Sequence, residues 1–244
     1  MTQPCVGRGW PVATADDLRF DVPLYTLEEA ASFLGVPRST FITWAHGYVR
    51  RSLGQREVRA APLITALPAP VRLPRIPFVG LAEGMVAAAF RKAGVSMQHI
   101  RRSLQVLQQE LGVEHALASG RLYTDGSSIL YDYATKHGDE EILTVVLSGQ
   151  RVFSDVIRDY LQRSTYAQDN WVERMVLPIT RRHVVEVDPR RAFGQPVFVR
   201  GGARMEDVLD RFRAGEPLAS VARDFDLDHQ DVEDVIRAAL PPAA

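Results

Sequence analysis

The stretch from Met205 to Ala239 repeats one hydrophobic pattern three times, and this regularity restricts the fold more than any other feature of the chain. Apolar residues fall at positions i, i+3, i+4 and i+7 of each repeat, which places them on one side of an α-helix. The three stripes are Met205, Val208, Leu209 and Phe212; Leu218, Val221, Ala222 and Phe225; and Val232, Val235, Ile236 and Ala239. The pattern predicts three short helices in a compact module.

The residues around these stripes predict where the helices begin and end. Gly215 and Pro217 separate the first two stripes, and Asp228 is placed to cap the third helix. Two apolar segments precede the module, from 184 to 189 and from 194 to 202, and glycine and proline punctuate both of them. We therefore expect two short strands before the three helices.

A second helical pattern lies near the N-terminus. Thr26 and Glu29 have the spacing of a capping box, and Gly35 ends the helix that they begin. Pro37 sets the backbone for a second helix. The residues expected to face inward are Leu27, Ala30, Ala31, Leu34, Phe41 and Trp44. Two short helices with a glycine in the turn are typical of a helix-turn-helix.

A helix-turn-helix places the early residues of its second helix against base edges in the DNA major groove. The candidates for these contacts are Arg38, Ser39, Thr43 and His46. Arginines that follow could hold phosphates, a contact that positions the protein without reading sequence; they are Arg50, Arg51, Arg56 and Arg59. The alternative is an ordinary helical hairpin with a solvated basic face.

The residues after this pair favour the DNA-binding interpretation. Phe78 to Arg91 is apolar at helical spacing, Gly94 interrupts it, and Ser96 opens another helix. The segment from Leu53 to Pro77 is rich in proline and β-branched residues, which suggests a wing or a strand.

Three parts of the sequence carry a resemblance to a known family: Tyr25-Thr-Leu-Glu-Glu-Ala-Ala-Ser-Phe-Leu-Gly-Val-Pro, then Trp44, then Arg91-Lys-Ala-Gly-Val-Ser-Met-Gln-His-Ile-Arg. Through them the region from Leu24 to Gly112 resembles the winged-helix DNA-binding domain of MerR-type regulators.

Charge is distributed unevenly along the chain. The formal net charge is -1, from 29 basic and 30 acidic residues. Residues 24–102 hold 11 basic and 4 acidic residues, whereas residues 184–244 hold 8 basic and 12 acidic residues. The near-zero total is therefore the sum of a basic end that suits nucleic acid and an acidic end that suits a protein partner.

The middle of the chain has a different pattern. Residues 122–131 alternate around Asp125-Gly126 and predict a hairpin. We further expect strands at 142–147 and 171–179 and a helix from Val152 to Leu161. This mixture departs from the MerR type, in which a long dimerising helix would follow.

The C-terminal region resembles a small domain of unknown function that recurs as the antitoxin of toxin–antitoxin pairs. The matching residues are Asp188-Pro189, Gly194-Gln-Pro196, Arg200-Gly-Gly202 and Gly215-Glu216. With the MerR-like head, the chain is similar to VapB-type antitoxins, whose partner is a ribonuclease toxin of the PIN-like kind. The resemblance implies that Phe198, Arg200 and Arg204 bind the toxin, with one arginine entering its cluster of acidic metal ligands. Phe193 and Phe198 are expected to be core or interface anchors.

The sequence contains no motif for catalysis. A nucleophile elbow, a phosphate loop and a zincin motif are all absent. The six histidines are not clustered at ligand spacing, and Cys5 is the single cysteine, so we expect no metal and no cofactor. The acidic run Asp139-Glu140-Glu141 is typical of a solvated helix start. We therefore expect a protein that is not an enzyme.

These observations predict an α+β, mainly helical protein: a flexible arm (1–23), a MerR-like winged-helix domain (24–112), a mixed α/β middle domain (113–183) and a trihelical antitoxin domain (184–244). The predicted function is that of a homodimeric antitoxin that binds operator DNA and a ribonuclease toxin. One alternative is a MerR-like regulator that senses a small molecule through its middle domain, and another is a nuclease subunit that acts itself. No apolar run reaches the length of a membrane span, and we expect a cytoplasmic protein.

Overall fold

A computed structural model describes residues 15–50, 58–70, 72–112, 115–124, 136–138, 159–160 and 162–239. The first element is helix α1 (Ala15–Phe20), which lies in the part of the chain expected to be a flexible arm. That expectation is wrong for α1, because the Arg19 side chain is buried and binds Asp169 through two hydrogen bonds of 3.2 and 2.5 Å. A partner 150 residues away holds this short helix in place.

The helix-turn-helix consists of α2 (Leu27–Phe33) and α3 (Arg38–His46). The predicted capping box is present: the Thr26 hydroxyl accepts a hydrogen bond from the Glu29 backbone, and the Glu29 carboxylate accepts one from the Thr26 backbone. These bonds satisfy donors that the first turn of a helix otherwise leaves unpaired. Phe41 and Trp44 are buried as expected, which fixes the orientation of α3.

An antiparallel pair of strands, β1 (Tyr48–Arg50) and β2 (Val58–Ala60), follows α3 as a wing. Strand β1 begins before Leu53, the residue from which the sequence pattern predicts a wing or a strand. Helix α4 (Phe78–Lys92) is buried along most of its length, and α5 (Met97–Leu111) is capped by Ser96, whose hydroxyl accepts a hydrogen bond from the His99 backbone. The order of two helices, a wing and two helices therefore matches the prediction.

The middle segment differs from its prediction at Leu122. Residues Arg121–Thr124 form a helical turn, α6, after a 3-10 turn at Ala116–Ala118, so they are not the first strand of a hairpin. Leu122 is fully buried, and this burial rather than an alternating pattern explains the apolar residue there. The rest of the predicted hairpin and the predicted strand at 142–147 lie outside the described residues.

Four antiparallel strands form the second sheet in the order β3 (Ser164–Tyr166), β4 (Val172–Val176), β5 (Val185–Val187) and β6 (Val197–Phe198). The pairing Met175↔Val187 joins β4 to β5, so one sheet continues across the boundary expected between residues 183 and 184. All three residues of β5 are buried, including the carboxylate of Glu186.

Three helices follow the sheet, as the repeated stripes predict: α7 (Met205–Arg213), α8 (Leu218–Asp224) and α9 (His229–Ala239). The carboxylate of Asp228 accepts a hydrogen bond of 2.8 Å from the Gln230 backbone and so caps α9, also as expected. We call residues 24–112 the head and residues 184–239 the tail. The molecule is mixed α and β, mainly helical, with its helix-turn-helix in the head.

The head and the tail share one continuous hydrophobic core. The polar joint between head and tail is a hydrogen bond from Tyr25, whose buried hydroxyl donates to the carbonyl oxygen of Gly194 at 2.7 Å. Burial raises the pKa of this hydroxyl, so it stays protonated and remains a donor. The described residues include no helix both long and apolar enough to cross a bilayer.

Candidate DNA-binding and partner-binding sites

The exposed face of α3 brings together the predicted base-reading residues. Ser39, Thr43 and His46 follow one another at four- and three-residue spacing, so they share one side of the helix, while Phe41 and Trp44 anchor the other. Arg38 stands at the first position of α3 with 64% of its side chain exposed, and its guanidinium lies 4.0 Å from the Glu28 carboxylate. Such a distant, solvated ion pair leaves this arginine available for another partner.

Two of these side chains have fixed geometry. The Thr43 hydroxyl donates a 2.9 Å hydrogen bond to the Ser39 carbonyl, which leaves its oxygen facing outward as an acceptor. His46 Nε2 lies 3.2 Å from the guanidinium of Arg75. Arg75 also donates to the carbonyl oxygens of Ala69 and Pro70, so the loop before α4 braces the C-terminal end of α3.

Of the four predicted phosphate-binding arginines, the structure describes one side chain. Arg59 on β2 is exposed. The Arg50 side chain and the whole of Arg51 and Arg56 lie outside the described residues. Gly47 makes the wing start directly after α3: its φ is +69°, and an added Cβ would lie 2.2 Å from the Ala60 carbonyl oxygen, so only glycine fits.

The structure adds arginines that the sequence pattern did not single out. Arg91, in the last turn of α4, places Nη1 3.4 Å from the Thr40 hydroxyl of α3. Arg101 on α5 donates to the Ala61 carbonyl beside the wing, and burial lowers its pKa. The positive charge of Arg91 at the end of α4 could have indicated a DNA contact from the sequence alone. Its closeness to α3, however, depends on how the two helices pack.

The predicted toxin-binding residues are in different environments. Phe198 is 1% exposed and forms part of the core, which is one of its two expected roles, so its side chain is not displayed on the surface as a contact for the toxin. Arg204 is half-exposed and pairs with Asp207 at 3.0 Å. Arg200 is exposed in a turn whose next two residues, Gly201 and Gly202, have φ values of +77° and +69°. Arg200 makes no ion pair with any residue that the structure describes.

An aromatic side chain close to Phe198 in sequence is instead displayed to solvent. Phe193 is 90% exposed and has φ +53°, and Ala192 before it has φ +47°. Two consecutive left-handed residues that are not glycine cost of order 1–3 kcal/mol each unless the surroundings hold them. The hydrogen bond from Tyr25 to Gly194 fixes the residue that follows this turn. Strain together with an exposed aromatic ring marks a candidate contact.

Most tail arginines are neutralised by tail acids. Arg211 binds both Glu216 and Asp224, and its guanidinium holds the pKa of Glu216 below the usual range. Buried Glu186 lies 2.5 Å from Arg191 and 3.6 Å from Arg174. No group of three or more potential metal ligands occurs among the described residues.

Comparisons with known proteins agree with this arrangement. Residues 23–104 match a family described as "Putative DNA-binding HTH domain", and residues 185–238 match "Protein of unknown function (DUF433)". The chain is 46% identical, over 230 residues, to the Mycobacterium tuberculosis protein named "Putative antitoxin VapB45", a match that spans 91% of this chain and 96% of that protein. The chain belongs to the VapB45 family of antitoxins. The predicted resemblance to VapB-type antitoxins is thereby confirmed.

A solved structure of the same family shares the fold. The crystal structure of Rv2018 from Mycobacterium tuberculosis superposes with a TM-score of 0.75 at 41% identity, covering 90% of this chain and 99% of that one. The predicted helix-turn-helix and the predicted mixed, mainly helical fold are both confirmed. The family match over residues 23–104 describes the helix-turn-helix as a DNA-binding domain.

Proposed function

We propose that this VapB45-family chain is the antitoxin of a type II pair that neutralises a PIN-like ribonuclease toxin and represses its own operon. The single observation that best supports the proposal is the 46% identity to a protein named as an antitoxin over nearly the whole length of both chains. Membership of the family gives the antitoxin class, whereas the kind of toxin and the residues that bind it are what we propose in addition.

For DNA binding we assign base reading to Arg38, Ser39, Thr43 and His46 and phosphate contacts to Arg50, Arg51, Arg56 and Arg59. The exposure of the α3 face and the net charge of +7 over residues 24–102 support this assignment. A MerR-like head would bind as a homodimer, because a two-fold protein matches palindromic half-sites.

The four segments 1–23, 24–112, 113–183 and 184–244 are proposed as sequence modules rather than as separate folding units, since one sheet crosses residue 183.

The DNA assignment is tested with the DNA upstream of the chain's own reading frame. Arg50→Ala or Arg51→Ala should weaken binding to every sequence and reduce the salt slope by about one for each lost phosphate contact. Ser39→Ala should reduce the preference for the operator over unrelated DNA. Unchanged affinity, preference and salt slope in all these variants would place the DNA surface elsewhere.

For toxin binding we assign Arg200 and Arg204 as the arginines that reach an acidic metal-binding cluster. Arg200 is the stronger candidate because it forms no ion pair with a described residue and interacts with the Asp231 carboxylate only at longer range, whereas Arg204 must first leave Asp207. Phe193 replaces Phe198 as the aromatic anchor, since an exposed ring can enter a pocket on a partner and contribute strongly to an interface.

The test is co-expression with the product of the adjacent reading frame, followed by purification of the complex. Arg200→Ala and Phe193→Ala should weaken the complex and restore ribonuclease activity. Arg223→Ala is the matched control, because this arginine of the tail is also exposed and unpaired among the described residues. A chain that purifies without a partner, or a complex whose affinity is unchanged in both variants, would contradict the assignment. The alternative of a MerR-like regulator that senses a small molecule predicts that no such neighbour exists, and the alternative of a nuclease subunit predicts metal-dependent RNA cleavage by the purified chain.

A further inference from the structure

A cleft of about 510 Å³ lies beside the helix-turn-helix. One wall is the turn between α2 and α3, from Leu34 to Pro37, and a second wall is the C-terminal half of α4. Residues 159–160 and 163, together with Pro178, close the third side. This volume is within the range of about 300–1,000 Å³ that small-molecule sites occupy.

The floor of the cleft is apolar. Leu34 and Met85 are nearly buried, and Val36 and Ala88 are partly exposed. Gly84 allows this close approach of α4 to the helix-turn-helix, because an added Cβ would lie 2.9 Å from side-chain atoms of both Leu34 and Phe41. The floor therefore presents hydrocarbon to an occupant, in a position that the packing of two helices fixes.

The rim of the cleft is positively charged. Arg163 donates two hydrogen bonds, of 3.1 and 3.0 Å, to the Asp159 carboxylate, so these two charges cancel. Arg91 and Lys92 at the end of α4 remain, both exposed. Lys92 forms no ion pair with any residue in the described part of the chain. An occupant with a negative group at this rim would gain charge-assisted contacts.

We infer that this cleft binds a small amphipathic anion, with an apolar body on the floor and one carboxylate directed at Arg91 and Lys92. The occupant would not cover the base-reading residues. Pro37 and Trp44 line the cleft, and at about 100° per residue they lie on a different side of α3 from Ser39 and Thr43. The site is additional to the proposed DNA and toxin contacts and does not depend on either of them.

The test titrates the full chain, labelled at its methionine methyl groups, with octanoate and separately with octanamide. The Met85 methyl signal should shift in a saturable way with octanoate. The signals of Met175, buried in β4, and of Met205, buried at the start of α7, should stay in place and serve as internal controls. Octanamide has the same apolar body without the charge, and it should bind about tenfold more weakly, the factor typical of one charge-assisted contact.

Variants separate the two features of the site. Lys92→Gln should reduce octanoate affinity severalfold, whereas Lys136→Gln, at the chain's other lysine, which is also exposed, should leave it unchanged. Ala88→Trp should fill the cleft and abolish the Met85 shift while the other methionine signals confirm that the chain remains folded. The inference is overturned if Met85 does not respond to octanoate at roughly 10 mM, or if octanamide binds equally well. Because no DNA or toxin is present, these outcomes are independent of the proposed function.

Discussion

The arginines of the head and those of the tail have different surroundings. In the head, Arg38 is largely solvated and 4.0 Å from its nearest carboxylate. In the tail, Arg213 contacts both Glu206 and Asp210, and Arg211 contacts two further acids. The number of arginines therefore says little about where a protein presents positive charge. The head keeps its positive potential for a distant anion, whereas the tail uses most of its cations internally.

The largest expected effect follows directly from this difference. Arg38→Ala should lower the affinity for operator DNA by about 1–3 kcal/mol, since a direct base contact is lost. Arg213→Ala, which removes a half-exposed but doubly paired arginine from the tail, should leave DNA affinity unchanged. Electrophoretic or fluorescence titration measures both. Equal losses in the two variants would show that pairing does not distinguish the regions.

A smaller effect is expected at the joint between head and tail. Tyr25→Phe removes the donor to the Gly194 carbonyl oxygen and should lower the free energy of unfolding by about 1 kcal/mol, because a buried acceptor loses its partner. Tyr48→Phe is the control, since Tyr48 is 43% exposed on the wing. Thermal or urea unfolding measures the difference, and identical stability of the two variants would mean that the joint is energetically neutral.

The next effect depends on pH. Hydrogen bonds from Arg19 hold the pKa of Asp169 below its ordinary value of 3.8. A lowered carboxyl pKa stabilises the fold above about pH 4, and this stabilisation disappears as the pH falls through the lowered value. Asp169→Asn should therefore lower Tm at pH 7, and the difference from the natural chain should shrink below pH 4. Asp21→Asn, at an exposed residue after the same helix, removes one acidic group without removing the contact with Arg19 and serves as the control.

The smallest effect concerns the self-neutralised surface of the tail. Glu233 and Arg237 form a pair one turn apart on α9, 2.5 Å between nitrogen and oxygen. Glu233→Gln should cost only about 0.3–0.5 kcal/mol, and the cost should vanish in 1 M salt, where the screening length is about 3 Å. A loss of several kcal/mol that survives high salt would show that tail ion pairs are structural rather than superficial.

The sequence was sufficient to predict elements whose start, period and end are all local. The Thr26 capping box, the Ser96 cap, the Asp228 cap and the three apolar stripes each lie within one or two helical turns, and all of them appear in the structure. The helix-turn-helix and its exposed face follow from these signals, because burial of Phe41 and Trp44 determines which side remains outside.

The sequence was insufficient where the structure of a segment depends on residues that are distant in the chain. Helix α1 has too few residues to show a period, and it depends on Asp169, far along the chain. Phe198 belongs to a strand of two residues, which is too short for alternation to separate its inner from its outer face. The cleft combines residues near 35, 88, 160 and 178, so no local pattern could indicate it.

The hydrogen bond between Tyr25 and Gly194 also has a consequence for synthesis of the chain. The two residues are separated by 169 positions, and a ribosome adds about 5–20 residues per second. The Tyr25 hydroxyl therefore waits on the order of 10–30 s for its acceptor to be synthesised. For most of that interval a nascent chain already contains every residue of the helix-turn-helix but not the last strand and helices of the tail. The surface assigned to DNA is thus translated before the surface assigned to the toxin.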